Sequence, residues 1–190
     1  MTPARVEALR VRLLAETAVL VALSGALYAV KVFTLPQGGS ITFASMVPVI
    51  LLALRRGWRI GVFGGFAFGL VAMIQDASTG IYYPAQVLLD YPLAFGSLGL
   101  AGYFKKSPYV GIAVAIASRF ICHFASGIIF FASFASQFCS QAILQSLGDA
   151  CTFSAVYSAI YNGSFLIPEL IISLVAMRVL VQLKALEIFV

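Results

Sequence analysis

The sequence predicts an all-α integral membrane protein: six transmembrane helices in one bundle, with the N- and C-termini cytoplasmic. Three observations carry that expectation. The 190-residue chain is 62% hydrophobic and only 10% charged, against about 25% charged in an ordinary soluble domain. Its apolar residues gather into six runs. Its basic residues fall on every second connection between those runs.

The first run, about 13–33, is long enough to span and to stay. "MTPARVEALRVRLLAETAVL" has no small-residue cleavage site behind a short apolar core, so a removable leader is not expected. The second and third runs, about 41–54 and 60–74, are short against the roughly 20 residues of a straight span. They are expected to be tilted, thinned or partly re-entrant. Runs at about 85–104, 109–134 and 152–183 complete the set. No hydrophilic stretch is long enough for a separate domain, so residues 1–190 read as a single six-helix membrane domain.

Arg5, Arg10 and Arg12 precede the first run; Arg55, Arg56 and Arg59 separate the second from the third. Lys105 and Lys106 separate the fourth from the fifth, and Lys184 follows the sixth. The alternate connections, "TLPQGGS", "QDASTGIYYP" and "SQFCSQAILQSLGDA", hold no Lys or Arg. That alternation is the positive-inside pattern for both ends cytoplasmic. Lys31, at the outer end of the first run, is one exception, and its stem can snorkel. The net charge of +5 therefore reads as orientation in a lipid bilayer. No aromatic-basic platform for nucleic acid is present.

With that topology, depth can be read from position. Asp90, in "QVLLDYPLAF", would cost roughly 2.5–3.5 kcal/mol facing lipid at the centre of a span, so it is expected to face inward. His123, Tyr157 and Asn162 share the outer half of the bundle with it. Tyr82, Tyr83, Phe130, Phe131 and Tyr161 supply rings nearby, and Phe130 shares the helical face of His123 better than Phe131 does. One carboxylate in a ring-lined pocket suits a flat, positively charged heterocycle. Plainer readings stand beside this one. Asp90 can pair with Arg119, which is compatible with also meeting a ligand. His123 can be a packing residue, Asn162 can be interhelical glue worth about 0.6 kcal/mol, and Tyr157 can belong to an interfacial belt.

Ala18, Ala22 and Ala26 recur at every fourth position beside Gly25, a stripe that lets another helix approach closely. It can pack inside the bundle or dock a partner subunit. "GVFGGFAFG" is a similar surface and reads as internal. There is no phosphate loop, no His-Glu-x-x-His motif and no Ser–His pair in credible context, so neither a cofactor nor a metal is expected, and ATP hydrolysis would belong to another chain. Cys122, Cys139 and Cys151 have no metal spacing. Cys139 and Cys151 share an outer loop, where a disulfide and two free thiols are both open. An intramembrane enzyme using His123 and Asp90 as an acid–base pair would lack a nucleophile. A free-standing carrier driven by protons, with Asp90 titrating, is a second alternative.

The phrases "RLLAETAVLVAL", "MVPVILLALRRGW", "QVLLDYPLAFGSLGLAGYF", "HFASGIIFF" and "YSAIYNGSFLIPE" resemble, in order and over roughly residues 12–180, the thiamine-specific substrate-binding S-component (ThiT family) of energy-coupling factor (ECF) transporters. The resemblance implies a six-helix, non-enzymatic protein of the prokaryotic cell membrane that binds thiamine from the outside. It would dock on a module of one transmembrane coupling subunit and two ATPase subunits. Carried over, the family's ligand residues fall on Asp90, His123, Phe131, Tyr157 and Asn162, and its docking stripe on Ala18 and Ala22. A second stacking Trp of the family falls on Gly39, and the only tryptophan, Trp58, lies on the expected cytoplasmic side. Tyr82 or Tyr83 would have to supply that ring. A thiamine precursor or a related cationic pyrimidine therefore stands as an alternative ligand.

Overall fold

A computed structural model of the chain describes residues 3–78, 83–139 and 150–186. It is predominantly helical, with the fold organised around four long helices: α1 (Pro3–Ala29), α3 (Trp58–Gln75), α6 (Pro108–Phe130) and α8 (Ser154–Gln182). Each is long and apolar enough to cross a membrane. The other elements are short and build the interior. After α1 comes an antiparallel hairpin of β1 (Lys31–Thr34) and β2 (Ser40–Thr42), pairing Lys31 with Thr42 and Thr34 with Ser40. The all-α expectation is corrected by this hairpin. The apolar run ends its helix at Ala29, and positions 41–42 of the second run are strand.

Helix α2 (Val47–Arg56) is ten residues long. At 1.5 Å per residue that is about 15 Å, half the roughly 30 Å of a hydrocarbon core. Every residue from Val47 to Leu54 is buried. A helix that is apolar all round and too short to span belongs inside the bundle, and there it forms the centre of the core. Gly57, with φ 95°, ends it and turns the chain directly into α3.

The fourth run is not a plain helix. It is a chain of α4 (Pro84–Leu88), a π-helical turn (Leu89–Leu93), α5 (Ala94–Gly96) and a 3₁₀ stretch (Ser97–Tyr103). Pro92 has no N–H to give its turn, which loosens the helix there. Both α5 and the 3₁₀ part lie against α3, where the backbones approach closely. A Cβ on Gly99 would sit 2.0 Å from the Val62 nitrogen, and one on Gly65 would sit 2.2 Å from the Phe95 carbonyl oxygen. The "GVFGGFAFG" surface is thus internal packing.

At the end of the bundle expected to be cytoplasmic, Glu16 of α1 lies 3.0 Å from Arg55 and 2.5 Å from Arg56. At the other end, Lys31 does not snorkel outward: its Nζ lies 2.5 Å from Asp76 Oδ1, just beyond α3. A short α7 (Ala135–Cys139) follows α6, which stops at Phe130, four residues before the run read from the sequence. Replacing Gly99 by Ala is expected to destabilise the bundle by about 1–3 kcal/mol through overpacking. A lowered Tm in detergent solution is the measurement.

Candidate functional site

The end of the bundle bearing the hairpin opens into a cleft with about 610 Å³ of empty space, counting the solvent at its mouth. Its floor is polar. The π turn in the fourth segment aims Asp90 and Tyr91 into it, and Gln86, one turn earlier on α4, joins them. A π turn is a frequent local device at functional sites because it re-aims side chains without ending the helix.

Asp90 is the centre of a hydrogen-bond network. Gln86 Nε2 donates to Oδ2 at 2.8 Å, Ser126 Oγ donates to Oδ2 at 2.9 Å, and His123 Nδ1 stands 3.0 Å from Oδ1. Arg119 Nε donates to His123 Nε2 at 3.1 Å. Since a guanidinium can only donate, Nε2 must be the acceptor, which puts the imidazole proton on Nδ1, facing Asp90. The order is therefore Arg119, neutral His123, Asp90. The direct Asp90–Arg119 pair considered from the sequence is replaced by this relay. Arg119 itself is buried, with its guanidinium 4.2 Å over the Phe95 ring and Nη1 2.9 Å from the Met46 sulfur.

A second carboxylate, Asp76, also lines the cleft. It accepts from Tyr28 at 2.5 Å and Tyr91 at 3.3 Å, and it holds Lys31. Helix α8 supplies the opposite wall. Tyr157, Tyr161, Asn162 and Phe165 all line the cleft, so residues five apart reach one site because the cleft is broad. Asn162 Nδ2 donates to the Ser158 and His123 carbonyls, tying α8 to α6. Residues 37–40 of the hairpin turn form the rim. Tyr161 fastens them by donating to the Pro36 carbonyl and accepting from the Gly39 N–H at 3.0 Å. Two turns further along α8, the buried Glu169 accepts from the Thr42 N–H and, at 2.6 Å, from Thr42 Oγ1.

Asp90, His123, Phe131, Tyr157, Asn162 and Arg119 all line this one cleft. Phe130 and Tyr83 do not line the cleft. They stack on each other with centroids 5.7 Å apart, outside it, and Phe131 takes the inward place because α6 ends at Phe130 and the next residue leaves the helical spiral. Tyr82 lies outside the described residues. At Gly39 a Cβ would stand 2.8 Å from the Tyr161 hydroxyl and 3.0 Å from the Phe165 ring. Tyr161 and Phe165 occupy the space beside Gly39, and they, not Tyr83, put rings there. Cys139 and Cys151 form a disulfide. Ala18, Ala22 and Ala26 are exposed on the outer face of α1, and Gly25 is the small residue that packs inward, against Val71. Sequence reading missed Gln86 and Ser126, which donate to Asp90, the lining residues Tyr28, Tyr91 and Phe165, and two carboxylates, Asp76 and Glu169. Asp76 sits in a stretch that reads as loop; Glu169, a carboxylate midway along a long apolar run, was the available signal.

A family model described as thiamine transporter protein (Thia_YuaJ) matches residues 14–189. The thiamine transporter ThiT of Bacillus subtilis (strain 168) is 35% identical over 120 residues, 55% of this chain and 62% of its own length. The match thus spans about three fifths of that relative. The thiamine transporter ThiT of Lacticaseibacillus paracasei is 26% identical over 140 residues, 64% of this chain and 69% of its own. A solved structure of ThiT from Listeria monocytogenes superposes with a TM-score of 0.77 at 20% identity, covering 93% of this chain and 96% of that one. At that identity the likeness is one of fold.

Tyr161→Phe removes the hydroxyl that fastens the rim. With each such hydrogen bond worth about 0.5–1.5 kcal/mol net, the Gly39 amide should exchange its hydrogen about two- to tenfold faster, as measured by hydrogen–deuterium exchange.

Proposed function

Because the chain belongs to the thiamine transporter protein family, we propose that it is the membrane-embedded binding subunit of a thiamine uptake system, with no catalysis of its own. The observation that carries this reading is the position of Asp90 in the lining of a cleft rich in aromatic rings. An ionised carboxylate can accept about four hydrogen bonds. Two on Oδ2 and one on Oδ1 are taken by the protein, which leaves capacity on Oδ1 for a donor from the ligand.

Thiamine joins an aminopyrimidine to a permanently cationic thiazolium. Asp90 offsets that charge in a site where little water competes, which strengthens the attraction. Phe131 and Tyr157 stack on the rings, with Tyr161 and Phe165 closing the side beside Gly39. His123 orients Asp90, and the Asn162 carbonyl oxygen, whose amide nitrogen is committed to Ser158 and His123, accepts from the ligand. The hairpin turn at 36–40 covers the site.

Orientation follows from two supports. Basic residues mark alternate connections, and the Cys139–Cys151 disulfide belongs to an oxidising compartment. Both favour cytoplasmic termini and a cleft open to the outside of a prokaryotic cell membrane; the hairpin and the buried α2 together make the second of six passes. The exposed Ala18, Ala22 and Ala26 give α1 a flat outer face, suited to docking on the transmembrane coupling subunit of an ECF module that carries two ATPases.

Asp90→Asn keeps the shape but removes the charge, and should weaken thiamine binding at least tenfold in calorimetry, since a charged hydrogen bond contributes about 1.5–3 kcal/mol. Unchanged affinity would remove Asp90 from the site. Tighter binding of a pyrimidine fragment than of thiamine would reassign the ligand. Ala18→Trp should abolish co-purification with ATPase subunits. Proton-driven uptake by the lone chain in liposomes would instead favour a free-standing carrier.

A further inference from the structure

The disulfide and the short helix beside it bear on the cleft although neither lines it. Helix α7 has five residues, too few to hold its place by its own hydrogen bonds. Its last residue, Cys139, is bonded to Cys151, three residues before the start of α8. The bond therefore ties α7 to the root of the helix that supplies the aromatic wall. Phe138, next to the disulfide, is buried and meets two rings of that wall edge-on. Its centroid lies 5.4 Å from Tyr157 at an interplanar angle of 75°, and 5.5 Å from Tyr161 at 74°. Both tyrosines face the cleft on their other side.

We propose that Phe138, held against α8 by the Cys139–Cys151 disulfide, is a positioning residue that sets the rings of Tyr157 and Tyr161 for the ligand. The physical reason is pre-organisation. Edge-to-face contact is directional, so one ring wedged behind two others limits their rotation before any ligand arrives, and affinity gains what ordering would otherwise cost. Tyr161 also fastens the hairpin turn, so the same wedge steadies the rim. The inference rests on the thiamine-binding reading above.

The test uses the purified full chain with thiamine, read by calorimetry before and after dithiothreitol, which reduces the cystine to two thiols and is itself oxidised to its cyclic disulfide. Reduction should weaken thiamine binding of the unaltered protein about fivefold or more, and Cys139→Ser with Cys151→Ser should do the same without reductant. Phe138→Ala should show the loss already when oxidised and no further loss on reduction. Phe138→Tyr, which keeps the ring, should bind within twofold of the unaltered protein, whereas Phe138→Leu, which keeps the bulk alone, should not. That contrast decides the matter even if the alanine variant fails to fold. Equal binding by the leucine variant, or equal sensitivity of the alanine variant to reduction, would overturn the proposal. If the unaltered protein does not bind thiamine, the function reading falls, and hydrogen exchange decides the positioning claim separately. Faster exchange of the 157–162 amides on reduction, absent in Phe138→Leu, supports it; no change in the unaltered protein overturns it.

Discussion

The cleft is arranged around one carboxylate, Asp90, largely withdrawn from water, with its side chain 12% exposed. Withdrawing Asp90 into an apolar bundle is tolerable only if its charge is answered and its lone pairs are used. The chain meets that condition with three donors from two helices: Gln86 of α4, one turn away, and Ser126 and His123 of α6. Arg119 answers the charge at one remove, through a neutral imidazole. The spacing matters. A guanidinium bonded directly to Asp90 would occupy the carboxylate with a bidentate partner, whereas a histidine in between balances the charge and leaves an acceptor for a guest.

The same constraint explains where the regular structure breaks. Inside a hydrocarbon layer, backbone that departs from the helix is tolerated only where it is buried in protein or lines a cavity. The π turn carrying Asp90 and the residues 37–40 of the hairpin turn both line the cleft. The interruption of the fourth segment is made possible by its neighbour, because the glycine face of α3 lets the 3₁₀ backbone come within contact distance. Helix α2, buried along nearly all its length, fills the centre that the distorted segment would otherwise leave open. Strand β2 is then fixed to α8 by Glu169, whose carboxylate accepts both the amide and the hydroxyl of Thr42.

Much of the site was legible in the sequence because polar residues are so scarce in it. Asp90, His123 and Asn162 stand out against apolar runs, and depth along each run placed them together. Helical periodicity, however, ranked Phe130 above Phe131, and the structure reverses that order because the helix ends between them. Asp76 was invisible for a different reason: it lies among Gly, Ser and Thr in what reads as a connecting loop, and only the return of Tyr28, Lys31 and Tyr91 from other elements makes it part of the cleft. The two cysteines left both outcomes open, and proximity of α7 to the root of α8 decided for the disulfide.

What the linear chain determined by itself is its solvent and its repertoire: an apolar, charge-poor polymer must live in lipid, and its few polar side chains must gather or be costly. That follows from composition and spacing, because transfer energies are properties of single residues and short runs. Which groups touch was decided only by the folded bundle. The histidine between Arg119 and Asp90, the tyrosine fastening the rim, and the rings filling the space beside Gly39 each depend on residues far apart in sequence meeting at hydrogen-bond or van der Waals range. Such contacts arise from backbone breaks and close helix approaches; a glycine run such as "GVFGGFAFG" marks that an approach occurs, and only the fold decides what approaches.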